Sequence, residues 1–94
     1  MENSVNLAFD KSITRLAGNS YGRQIYKSQV EGVIDFTQTA YIVFPEQIVA
    51  VASSFVQGFF EEIIKEVGIL GIGTKVKVLA PSMDVETKIL KNLL

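Results

Sequence analysis

The segment from Ala40 to Leu79 constrains the fold most, because two strand-like runs flank a long helical pattern. Ala40 to Phe44 is a continuous apolar run ended by Pro45, which is typical of a central strand covered on both faces. Large apolar residues recur at three- and four-residue spacing from Ser54 to Val67, which predicts an amphipathic helix. Lys75 to Leu79 alternates lysine with apolar residues and predicts a half-buried strand. A strand–helix–strand unit favours parallel strands.

The rest of the chain predicts one more strand and two more helices. Ser4 to Phe9 alternates apolar residues with smaller or polar ones, as a first strand does. Tyr21 to Ile34 has helical spacing, although its β-branched residues also allow a strand over Val30 to Phe36. Ser82 precedes a last helix with acidic residues in its first turn and lysines near its end. The predicted fold is α/β, a small single-layer parallel or mixed sheet with helices in the order β-α-β-α-β-α, forming one domain over residues 1–94.

The ends of the central predicted helix carry local signals. Ser54, followed three residues later by Gln57, fits a capping box, and Gly68 directly follows the last apolar position, Val67. Ile69 to Thr74 contains two glycines and is predicted to be a turn. Gly68 and Gly73 have the separation found in a phosphate-binding loop, but Lys75 follows Thr74 and a predicted strand comes next. We therefore interpret the segment as a connection between helix and strand.

Composition excludes most familiar enzyme chemistry. The 94 residues include no cysteine and no histidine, so disulfides, thiol nucleophiles, zinc–cysteine sites and histidine relays lack their essential atoms. The carboxylates Glu61, Glu62 and Glu66 lie beside Lys65 on the polar side of the predicted central helix. We interpret them as a solvated face, because a surface helix needs one. We predict no catalytic residue, no metal and no cofactor.

Charge and hydropathy favour neither nucleic acid nor membrane as a partner. The formal net charge is −1, from nine Lys and Arg against ten Asp and Glu, which disfavours binding to phosphate backbones or anionic lipids. The longest uncharged stretch, Gln47 to Phe60, is shorter than the roughly 18–20 residues that cross a bilayer. The first residues show no basic and apolar leader pattern, so a cytoplasmic location is predicted.

The junction before the central helix combines an apolar connection with two hydroxyls. Pro45 to Ala52 is too apolar for a solvated loop, so we expect it to lie against the core, with Ile48 to Val51 forming either loop or a brief strand. Ser53 and Ser54 follow at the positive end of the helix dipole. A phosphoryl group there would bring about −1.5 to −2 charges onto free helical N–H groups. The pair fits either an ordinary cap or a phosphorylation switch.

Tyr41 to Phe60 contain, in order, a strand, a turn, the element Ser53-Ser54-Phe55 and an amphipathic helix. In this arrangement they resemble the signature region of STAS-like domains of unknown function, small bacterial and phage modules related to anti-sigma-factor antagonists. The resemblance extends more weakly from Tyr21 to Leu94. By position, Ser53 corresponds to the regulatory serine of the wider superfamily. The aspartate that precedes that serine in true STAS antagonists is Ala52 in this chain.

The resemblance implies a non-enzymatic regulatory module that binds a protein, either a histidine-kinase-like ATPase or another anti-sigma-type regulator. Phosphorylation of Ser53 by that partner would release the complex. The predicted partner-binding residues lie in the connection and the first turns of the helix: Ile48, Val49, Ala50, Val51, Ser53, Ser54 and Gln57.

Two alternatives stay open from the residues alone. With 48% apolar residues, the chain has more hydrophobic side chains than one small core readily buries. A surplus stripe on Tyr21 to Ile34, or on the last helix, would then pair two copies in a structural homodimer. A small-molecule pocket beneath the turn at Gly71 and Gly73 is the other alternative.

Overall fold

The computed structural model describes residues 3–93, which form two small parallel sheets and four helices. A three-stranded sheet has the order β1-β3-β5, and a two-stranded sheet pairs β2 with β4. In chain order the elements are β1 (Ser4–Asn6), β2 (Arg15–Leu16), α1 (Asn19–Ile25), a π-helical segment (Tyr26–Val30), β3 (Ala40–Val43), β4 (Ala50–Val51), α2 (Ser53–Lys75), β5 (Val76–Leu79) and α3 (Met83–Leu93).

The three-stranded sheet confirms the predicted α/β class with parallel strands. β3 lies in the middle and pairs in parallel with both neighbours, so Val5, Ile42 and Val78 lie side by side. The connections from β1 to β3 and from β3 to β5 step in the same direction and each contains a helix. Crossovers between parallel strands follow a right-handed rule, and two that step in the same direction place their helices on the same face of the sheet.

The opposite face of the sheet carries no helix among residues 3–93. Ile42 and Val78 are buried towards the helices, whereas Tyr41 and Val43 are half-buried and Lys77 is exposed. β3 was predicted to be a central strand covered on both faces; its central position is confirmed, and its residues alternate between fully buried Ala40 and Ile42 and partly buried Tyr41 and Val43. The predicted outward direction of Lys77 in β5 is confirmed.

The core forms between the inner face of the sheet and α2. Phe55, Phe59 and Phe60 of α2 are fully buried, and Phe59 contacts the rings of Tyr26 and Phe44 at centroid distances of 6.2 and 6.1 Å. Burying such a side chain contributes about 1.5–3 kcal/mol by transfer from water. The apolar residues that the sequence places at helical spacing are therefore the residues that fill this core.

Helices α1 and α2 cross closely because each has a glycine at the contact. A Cβ atom on Gly58 would lie 2.8 Å from the carbonyl carbon of Asn19, and one on Gly22 would lie 2.7 Å from the backbone nitrogen of Phe59. No real Cβ atom makes contacts this short with backbone. The two glycines therefore set the distance between the helices.

The helix predicted over residues 21–34 is shorter and changes type. It begins at Asn19, becomes a π-helix at Tyr26 and ends at Val30, and turns follow. The alternative strand over Val30 to Phe36 is also wrong. The turn after the helix contains Gly32, whose φ is 81°. Glycine adopts this conformation without steric cost.

A side-chain network holds the turn after the π-helical segment. The Asp35 carboxylate accepts hydrogen bonds from the backbone N–H and the hydroxyl of Thr37, at 2.9 and 2.6 Å. The Asn3 amide donates to the carbonyl oxygens of Asp35 and Thr39 and accepts from the Asp35 N–H. These bonds offer the backbone an alternative to both helix and sheet.

The first predicted strand is shorter than expected, and β2 was not predicted. The ladder ends at Asn6 instead of Phe9, and the chain then turns towards β2. β2 pairs with β4 through Arg15–Ala50 and Leu16–Val51. This pairing confirms that part of the apolar connection before α2 is a brief strand.

Helix α2 is interrupted at Gly68, the residue that was predicted to end it. Gly68 has φ 76° and ψ 166°, outside the helical region. The helical path then resumes to Lys75, so the turn predicted over residues 69–74 is wrong. At the last helix, the Ser82 hydroxyl accepts a hydrogen bond from the Val85 N–H at 3.2 Å, which confirms Ser82 as its cap.

Candidate protein-interaction surface

The β4 strand divides the predicted contact loop into buried and exposed residues. Ile48 and Val51 are only 1% and 2% exposed and belong to the core, so their side chains are not available to a partner. Val49 is 61% exposed, and Ala50 is half-buried. Within the two-residue strand β4, Ala50 and Val51 point to opposite faces, and Val51 is the one that enters the core.

The two serines at the start of α2 have different environments. Ser53 is exposed at the first helical position, and no hydrogen bond involves its hydroxyl among residues 3–93. The Ser54 hydroxyl accepts a hydrogen bond from the Gly18 N–H at 2.9 Å and ties α2 to the loop before α1. Ser53 is therefore chemically accessible, whereas Ser54 has a structural role.

The predicted capping box is wrong. Ala52, with φ −78° and ψ 153°, is the N-cap residue of α2, and no side chain caps the helix. Gln57 is exposed one turn after Ser53. Because Ser54 points to the preceding loop, the first turn keeps free N–H groups beside the exposed hydroxyl, and no acidic residue lies in that turn.

Helix α3 extends this surface in a way that the sequence did not reveal. Asp84, Val85 and Lys88 line a small cleft of about 120 Å³ against residues 49–51. Met83, at the start of α3, is 83% exposed. We call the exposed part of this region the junction surface, comprising Val49, Ala50, Ser53, Gln57, Met83, Asp84 and Lys88.

The sequence predicted helix α3 but not its position beside β4, because contacts between residues so far apart in the chain have no local signal. A polar first turn that begins with an exposed methionine was the one available hint. Apolar side chains that remain in solvent beside charged ones are typical of surfaces that contact other proteins.

Two of the three acidic residues of α2 are paired with cations. The Arg23 guanidinium lies 3.0 Å from Glu61, and Lys65 lies 3.2 Å from Glu62. Within residues 3–93 no group of three or more acidic side chains is arranged to hold a metal ion. Burial, with smaller contributions from Glu31, Glu62 and Glu66, raises the pKa of the nearby Tyr26 hydroxyl. The ion pairs agree with a solvated, charge-balanced face.

The glycine-containing segment before β5 does not form a phosphate loop. Residues 69–75 are helical and lead into a strand, whereas a phosphate loop leads from a strand into a helix. The segment therefore lacks the strand–loop–helix order in which a phosphate loop presents its N–H groups to phosphates.

The chain matches no protein-family model, no curated protein and no solved structure in the comparisons with known proteins. Across residues 3–93, every helix falls short of the length and apolarity needed to cross a bilayer.

Proposed function

We propose that the chain is a non-enzymatic regulatory module, similar to the STAS antagonists of anti-sigma factors, and that it binds a protein partner through the junction surface. The proposed partner is a histidine-kinase-like ATPase or another anti-sigma-type regulator, in the cytoplasm of a bacterium or phage host. The observation that supports this proposal is the exposed hydroxyl of Ser53 at the positive end of α2, which forms no hydrogen bond within residues 3–93 and follows the exposed Val49 by four residues in the chain.

Phosphorylation of Ser53 would act as the switch. The phosphate would add about −1.5 to −2 charges and three acceptor oxygens at a helix start with free N–H groups. Within the complex the same charge would have to lose water against an interface built around Val49, which favours release. Ser54 does not take this role, because its hydroxyl is already bonded to Gly18.

The test compares phosphorylation and binding at two matched serines. Ser20 is the control, because it is also exposed in the first turn of a helix. The chain is incubated with ATP and serine kinases of the histidine-kinase-like ATPase class, and intact mass and site mapping follow the phosphate. We expect Ser53→Ala to remove the label and Ser20→Ala to retain it. Equal labelling of wild type and Ser53→Ala would remove the switch from the proposal.

Binding is measured separately from labelling. We expect Ser53→Asp to weaken the complex with the kinase by about tenfold or more, whereas Ser20→Asp leaves it unchanged. Val49→Asp should also weaken binding, because Val49 lies on the proposed contact. If Ser53→Asp and Val49→Asp both bind the kinase as tightly as wild type does, the partner uses another surface.

The homodimer alternative has no specific support from the structure. Ile25, Tyr26 and Val30, on the first apolar stripe, are buried within one copy, and so are Val85 and Ile89 of α3. These residues belong to the core of one copy, whereas Val33, also on the first stripe, is 59% exposed.

A further inference from the structure

The two edges of the three-stranded sheet differ. At the β1 edge, the Gln29 amide donates to the Ala8 carbonyl and accepts from the Ala8 N–H, both at 2.7 Å. This pair of bonds satisfies the backbone N–H and carbonyl of Ala8, two residues past the end of β1.

The β5 edge is open. The Phe44 N–H donates to the Leu79 carbonyl at 2.8 Å, so the backbone groups of Leu79 face β3. Alternation along the strand directs the N–H and carbonyl of Val78 away from β3. Within residues 3–93 no group donates to, or accepts from, Val78 on that side.

A groove of about 340 Å³ runs along this open edge. Its apolar lining includes Ile72 before β5, Val78 within it and Leu90 of α3, while Lys77 and Glu86 supply charges. α2 packs against both α1 and α3. The three helices therefore form a layer that extends past the last strand, and α3 forms the far wall of the groove.

We propose that an extended segment of a partner polypeptide binds in this groove as a fourth strand beside β5. Such a segment alone presents backbone donors and acceptors at the spacing of the free edge. Its inward side chains would be apolar and fill the space between Val78 and Leu90. Its outward side chains would be acidic, because Lys77 is exposed and forms no ion pair among residues 3–93.

The same geometry disfavours a second copy as the occupant. Twofold pairing of β5 with β5 would bring the helix layer of one copy against α3 of the other, because α3 already extends past the edge. This proposal does not depend on the role of Ser53.

The test uses short blocked peptides that alternate valine with glutamate or valine with lysine, titrated into the full chain. We expect saturable binding of the valine–glutamate peptide, observed as shifts and slowed hydrogen exchange at the Val78 N–H. The valine–lysine peptide should bind about three- to tenfold more weakly, from the difference between opposite and like charge pairs across a ladder. Lys77→Glu should reverse this preference, whereas the matched exposed variant Lys11→Glu should not.

Backbone pairing is tested with the valine–glutamate peptide N-methylated at alternate residues, which removes the donors and leaves the side chains. We expect binding to be lost. Unchanged binding of the methylated peptide, or no saturable binding of the parent peptide, overturns the proposal. Protection of the Val78 N–H that rises with protein concentration alone would show that a second copy is the occupant, and would also overturn it.

Discussion

Substitution of Gly58 by alanine tests the close crossing of α1 and α2. The added methyl group would lie 2.8 Å from the Asn19 carbonyl carbon and 3.0 Å from its Cα. These are backbone atoms, so the contact can be relieved only by moving one helix against the other. That movement would also disturb the edge contact between Tyr26 and Phe59, whose ring planes meet at 83°.

The expected cost follows from two opposing effects. Overpacking against rigid backbone costs about 3 kcal/mol, the upper end of the usual range. Alanine recovers up to about 1 kcal/mol through its higher helix propensity. The net loss of about 2 kcal/mol corresponds to a melting temperature lower by about 8–16 °C for a domain of this size.

Urea unfolding monitored by circular dichroism measures this loss. Gln57→Ala is the matched control, because Gln57 is adjacent in the same helix and exposed. We expect its stability to stay within about 0.5 kcal/mol of wild type. If Gly58→Ala were as stable as Gln57→Ala, the argument that glycine sets the helix separation would be refuted.

Three further predictions concern single side chains. Ser54→Ala should lower the free energy of unfolding by about 1 kcal/mol, because it removes one hydrogen bond, while Ser53→Ala should change it little. Equal losses of unfolding free energy in urea would contradict the distinction between the two serines. Phe59→Ala should cost about 3–5 kcal/mol, because it leaves a cavity at a fully buried position, and a loss below 1 kcal/mol would contradict that packing. The side-chain and backbone hydrogen bonds from Thr37 lower the pKa of Asp35 from its ordinary value of 3.8. Because the pKa is lower in the folded state, the Asp35 carboxylate stabilises the fold above pH 3.8. That stabilisation is lost as pH falls through the folded pKa. The melting temperature should thus fall less steeply in acid for Asp35→Asn than for wild type. Parallel profiles of melting temperature against pH would show that the Asp35 carboxylate in this turn contributes nothing to stability.

The sequence predicted the elements whose signals are local. β3 and β5 follow from their composition and alternation, and the first part of α2 from its apolar spacing. Gly68 was predicted at a helix end because the left-handed conformation there suits glycine. Ser82 was predicted as a cap for the same kind of local reason.

What was missed depends on contacts between distant residues. β2 has only two residues and exists through its pairing with β4. The end of the π-helical segment depends on the turn held by Asn3 and Asp35, which are 32 residues apart. At the candidate surface, the exposure of Ser53 agreed with its position in the sequence. The bond between Ser54 and Gly18, 36 residues apart, had no local signal.

The interruption at Gly68 divides α2 into parts of unequal stability. Residues 53–67 carry the buried phenylalanines, whereas in the shorter part Leu70 is 89% exposed and Thr74 and Lys75 lie in solvent. Among the side chains described in residues 69–75, Ile72 is the one large apolar side chain in the core, at 2% exposed. A segment held by so few core side chains opens by local unfolding at a smaller free energy than the whole domain. Since Ile72 belongs to this part, the wall that it forms beside β5 can fray and re-form while the aromatic cluster stays intact.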